Sequence, residues 1–143
     1  MISNILDQNK NNILQKIFHN INPFMNNLTQ IIFIRKDLIK KNKFTNGMLM
    51  AQACHASLKS AWIFKDESKT KLYLNDIENM TKVILSIKQE DISNVIDICV
   101  QNRIKYTEWI EMPENILTAL ATEVIDKTDH EDLKIIFSGY KLF

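Results

Sequence analysis

From Gln30 onward the chain alternates between two hydrophobic patterns. Ile31, Ile32, Phe33 and Ile34 form an unbroken β-favouring run, the pattern of a strand covered on both faces. A polar stretch over 36–46 predicts a loop. Residues 47–64 then predict a helix whose apolar members, Leu49, Ala53, Cys54, Ala56, Leu58, Ala61 and Trp62, nearly encircle it. A helix of that composition belongs in an interior, so its polar side chains need a reason. Met48, Gln52, His55 and Lys59 recur at spacings of three and four and share one face.

A second polar break covers 65–70, and 71–79 predicts a short helix carrying Leu72, Tyr73 and Ile77. The run TKVILSI over 81–87 predicts the next strand. Ile92, Val95, Ile96, Cys99 and Val100 then repeat at helical spacing, with Asp91 or Ser93 available as a cap. Strands over 105–110 and 117–125 follow, and a helix over about 128–137 with Gly139 suited to end it. Strands alternating with helices predict a layered α/β domain. Residues 1–27 stand apart as an extension: Ile13, Leu14, Ile17, Phe18 and Ile21 predict one short helix, ended by Pro23.

With 143 residues, the chain has the size of one compact domain. A formal net charge of +1 gives no global attraction to nucleic acid, so RNA binding would rest on local patches. Lys36, Lys40, Lys41 and Lys43 form the best one and Lys65, Lys69 and Lys71 a second, and either reads equally as a solvated loop. Cys54 and Cys99, each in an apolar helical pattern, predict buried structural thiols in a reducing compartment. No Cys-x-x-Cys pair or zinc spacing occurs, and His19, His55 and His130 lie in separate segments. No cofactor or metal is implied. Without an apolar run of about 18 residues or a signal-peptide pattern, the expectation is a cytoplasmic protein with no membrane span. Asp7 and the lack of arginine before residue 28 argue against organellar import.

The stretch IIFIRKDL over 31–38, followed by GMLMAQACHA over 47–56, resembles the peptidyl-tRNA hydrolase 2 family of archaea and eukaryotes. Arg35, Asp37 and Leu38 match its strand-ending motif, and Gly47, Ala51, Gln52, His55 and Ala56 its helix-opening motif. WIEMPENI over 109–116 is similar to the eukaryotic peptidyl-tRNA hydrolase domain-containing branch. The resemblance spans 28–143. It implies a three-layer α/β/α domain with a mixed four-stranded sheet, and hydrolysis of the ester that joins a peptide to the 3′ ribose of tRNA.

That family is thought to use a lysine directly after the glycine, and an aspartate and a threonine in the loop after the third strand. Here the lysine position is Met48, which neither carries charge nor donates a hydrogen bond. Glu111 falls at the aspartate, and Glu114 or Asn115 at the threonine. The resemblance therefore implies either an altered catalytic centre or a noncatalytic module that binds tRNA or a protein.

The catalytic candidates are Glu111, His55, Gln52, Asn115 and Glu114. His55 suits a base with Gln52 or Asn115 polarising a carbonyl, or an interior histidine hydrogen-bonded for packing. Glu111 and Glu114 are paired carboxylates or a solvated turn. For tRNA or peptidyl-tRNA, Asn46 or Thr45 caps a helix whose free amides near Gly47 attract phosphate, with Arg35, Lys40, Lys41 and Lys43 beside it. Trp109 offers a face for a terminal adenine, or serves as core or interface. Met48, Met50 and Met112 read as core or as an adaptable apolar surface, and family likeness makes a homodimer plausible.

Overall fold

A computed structural model describes residues 27–130 and 133–143, so the helix expected over 13–21 lies outside the described residues. In order they form β1 (Leu28–Arg35), α1 (Leu38–Lys41), α2 (Asn46–Ile63), α3 (Ser68–Asn75), β2 (Thr81–Ile87) and α4 (Ile92–Gln101). Then come β3 (Tyr106–Glu111), β4 (Ile116–Thr122), β5 (Ile125–Asp126), α5 (Leu133–Ile136) and β6 (Lys141–Leu142). The strands make one mixed sheet in the order β3-β4-β1-β2-β6, with β5 also on β1. β1 and β2 are parallel and the other pairs antiparallel.

All of β1 is buried, because it is paired on both edges and covered on both faces. Alternation along the strand divides its side chains. Ile31 and Phe33 join Leu85, Ile87 and Leu120 beneath Val95 and Cys99 of α4 and Phe137. Ile32 and Ile34 join Ala119 and Ala121 beneath Leu49, Ala53 and Ala56 of α2. Small residues at that second contact let α2 lie close to the sheet.

Several expectations change in detail. The sheet has six strands rather than four, the additional two being β5 and β6, only two residues each and too short to carry a period. The expected strand over 117–125 divides at Glu123 and Val124, and its pieces pair with different parts of β1. Val124 turns instead into a small cluster with Leu28 and Tyr73. The polar stretch 36–46 holds α1 and buries Leu38 and Phe44, and α3 starts at Ser68, inside the expected break. Asp91 accepts from the Lys88 amide instead of capping α4. The last helix is a single turn over Leu133–Ile136, and Gly139 has no positive φ. Among the described residues no helix is long and apolar enough to cross a membrane.

Candidate functional site

The site lies where the opening of α2 meets the β3–β4 hairpin. Thr45 caps α2 by accepting from the Met48 amide at 3.2 Å. A Cβ on Gly47 would meet only Thr45 Oγ1, at 3.8 Å, and its φ is not positive, so the fold itself does not require glycine there. Arg35 is 5% exposed and held by three hydrogen bonds. It donates to both carboxylate oxygens of Asp37, at 3.1 and 2.8 Å, and to the Leu117 carbonyl at 3.1 Å. This arginine ties the end of β1 to the start of β4. Burial pushes the Asp37 carboxyl upward, but hydrogen bonds and charge from Arg35 and Lys41 outweigh it and hold the group below its ordinary value.

Trp109 is the hub of the site. His55 stacks on its ring, with centroids 4.6 Å apart. Its indole nitrogen donates to Glu111 Oε2 at 3.0 Å. Lys59 Nζ donates to the Glu108 carbonyl at 2.7 Å and lies 5.9 Å from the Trp109 ring centroid. Register shifts here, with Trp109 opposite Ala119 and Ile110 opposite Leu117, so Thr118 is the additional residue of a bulge. Bulges re-aim side chains, and the Thr118 hydroxyl donates to Gln52 Oε1 at 2.8 Å, 3.5 Å from the Trp109 carbonyl oxygen. Gln52 is 4% exposed. Fixing its oxygen in this way leaves its NH₂ as the donor.

Gln52, His55 and Glu111 are thus joined through Thr118 and Trp109. Glu114 and Asn115 are exposed on the adjoining turn, where Asn115 has φ 54, a left-handed conformation that asparagine tolerates. Lys40, Lys43, Asn46 and Gly47 are exposed around the start of α2. Lys41 bridges Asp37 at 3.1 Å and Glu90 at 4.0 Å. Lys59 was marked only by its place on the polar face of α2, and Thr118 had no signal as a site residue. Thr118 reads as an ordinary strand position until the bulge turns it toward α2.

The expectation of a fully buried α2 is corrected, since among the described residues only its inner side meets a layer of structure. Met48, Met50, Leu58 and Trp62 are exposed. Cys54 is exposed too, while Cys99 is buried, which pushes its thiol up to about 11. His55 lies at the surface rather than in the interior. Below the site, a polar clamp holds α2 to the sheet. Gln30 donates to the Ser57 and Thr122 carbonyls at 3.2 and 3.3 Å, and Ser57 Oγ returns a 2.7 Å bond to Gln30 Oε1. Lys82 donates to the same Oε1 at 3.1 Å and to the Tyr73 hydroxyl at 3.3 Å. Burial pushes the Lys82 ammonium down and the Tyr73 hydroxyl up to about 12. Among the described residues no three His, Cys, Asp or Glu are grouped to hold a metal.

The family model for the peptidyl-tRNA hydrolase PTH2 matches residues 28–143. The chain belongs to the peptidyl-tRNA hydrolase 2 family. Its similarity to the eukaryotic branch is closer than to the archaeal relative. The provisionally named peptidyl-tRNA hydrolase PTRHD1 of Mus musculus is 32% identical over 118 residues, 81% of this chain and 82% of that one. PTRHD1 of Homo sapiens is 33% identical over the same shares. The peptidyl-tRNA hydrolase of Methanothermobacter thermautotrophicus is 26% identical over 125 residues, 80% of this chain and 99% of that one.

Proposed function

We propose that this chain hydrolyses the ester of peptidyl-tRNA through a centre in which Glu111, Gln52 and His55 replace the lysine-based arrangement of its family. The observation that carries this reading is the meeting of the two motif segments: Gln52 and His55 from α2 reach Glu111 through Thr118 and Trp109. Glu111 accepts the proton of an attacking water. The Gln52 NH₂ donates to the oxyanion that forms as water adds to the ester carbonyl. The bond to the 3′ oxygen then breaks and Glu111 returns the proton to that oxygen, leaving a free peptide carboxyl and a 3′ hydroxyl, while His55 holds the Trp109 ring whose indole orients Glu111. Thr118 supplies, as a positioning residue, the hydroxyl that neither Glu114 nor Asn115 carries.

Glu114 and Asn115 flank the substrate from the turn. Lys40, Lys41 and Lys43, with Asn46 and the amides at Gly47, meet tRNA phosphates, and Arg35 acts from within by holding the start of β4. A cytoplasmic site of action belongs to the same reading. Met48 favours a second one, a noncatalytic tRNA-binding module, because a lost oxyanion donor costs about 3 kcal/mol of transition-state stabilisation. The test of the proposed base is peptide release from peptidyl-tRNA under single-turnover conditions. Glu111→Gln is expected to slow it by about 10²-fold to 10⁴-fold. An unchanged rate would remove Glu111 from the mechanism.

A further inference from the structure

We infer that the groove between α2 and β3 is a stacking site for one unpaired nucleobase, the 3′-terminal base of the RNA; the inference rests on the reading of this chain as a peptidyl-tRNA-binding protein. The groove is shallow and open to solvent, with room for about 380 Å³, and is lined by His55, Leu58, Lys59, Trp62 and Trp109. Four of these come from one side of α2, and the fifth is the hub of the hydrolytic centre. Leu58 is 70% exposed and Trp62 68%, so the described part of the fold gives neither side chain a packing role. Large apolar side chains left together at a surface mark an interaction site.

A base suits this groove better than a protein surface. Each indole has an ammonium beside it: Lys65 Nζ lies 4.7 Å from the Trp62 ring centroid, and Lys59 Nζ 5.9 Å from that of Trp109. Aromatic faces interleaved with lysines are the means by which proteins hold single-stranded nucleic acid, the rings stacking on bases and the cations meeting the flanking phosphates. Lys59 has one donor engaged by the Glu108 carbonyl, which fixes the ammonium and leaves two donors for a phosphate oxygen. The groove's position fits the chemistry. Trp62 lies seven residues beyond His55, roughly 10 Å along the helix axis, and at the other end His55 stacks on Trp109, whose indole reaches Glu111, so the groove runs up to the proposed centre.

The test uses the chain's own fluorescence, because its two tryptophans are Trp62 and Trp109 and both line the groove. A short single-stranded RNA ending in CCA, titrated into the full-length protein, is expected to quench this signal saturably. Trp62→Leu is expected to weaken binding by about tenfold or more, and Trp62→Phe to retain most of it. An unchanged denaturation midpoint would show that the variants remain folded. Equal binding by Trp62→Leu, or equal quenching by a blunt RNA duplex, would overturn the inference, as would quenching by an apolar peptide but not by RNA. Peptide release separates the two readings. Cleavage by a protein whose groove ignores the RNA end refutes the stacking site alone, and stacking without cleavage refutes the hydrolytic mechanism alone.

Discussion

Thr118 carries more of the site than its residue type suggests. Its hydroxyl donates to the buried Gln52 oxygen, and a buried acceptor left unpaired costs about 1–3 kcal/mol. Thr118→Val keeps shape and volume but removes that donor. It should lower stability by that amount in a urea titration, whereas Thr118→Ser should retain most of it. Asp37 makes a pH-dependent contribution. Its folded carboxyl sits below the unfolded value of about 3.9, so the unfolded chain binds the proton more readily. The stabilisation is therefore complete above that value and is lost as pH falls through the lower folded one. Asp37→Asn should be destabilised relative to the native chain at pH 7, and the gap should close on acidification below about pH 4. A gap independent of pH would mean that charge is not what Asp37 contributes. Gln52 and His55 were legible in the sequence because helical spacing and the Ala-Gln-x-x-His-Ala motif mark them. Thr118 was not, because its role comes from a register shift between two strands, and no single segment records a register.

At the level of elements, α2 shows what a hydrophobic pattern cannot reveal. Its limits were read to within a residue or so, since Thr45, Gly47 and the run of helix formers are local signals. Its burial was misread, because composition does not say how many sides of a helix are covered. The two sides should respond differently to truncation. Leu49→Ala on the sheet side should cost about 2–5 kcal/mol, and Leu58→Ala on the open side less than about 0.5 kcal/mol. Comparable losses in thermal unfolding would mean that something packs over the outer side. The cap itself is worth about 1 kcal/mol, so Thr45→Ala should produce a loss of that size. Strands β1 and β2 were legible because both are long runs of β-favouring residues. β5 and β6 are positioned by their partners on β1 and β2, and α1 by burial of Leu38, none of which leaves a periodic trace.

For the whole molecule, the family and its eukaryotic-branch motifs could be read from three short segments and the layered fold from the alternation of strands and helices, since these signals are local. What the molecule does with the fold depends on how α2 and the β3–β4 hairpin meet, which only the assembled sheet defines. A net charge of +1 supplies little long-range steering. Binding through Lys40, Lys41, Lys43 and the start of α2 should therefore be short-ranged and weaken as salt rises. The most direct measurement is peptide release from peptidyl-tRNA, under single-turnover conditions, by the native chain and by Met48→Lys. Met48 is exposed, so the lysine adds a cation at the helix opening without disturbing the core. The account predicts slow but measurable release by the native chain, accelerated by about 10²-fold in Met48→Lys. Tight binding of peptidyl-tRNA by the native chain with no release, even at long times, would contradict it and leave the fold as a binding module.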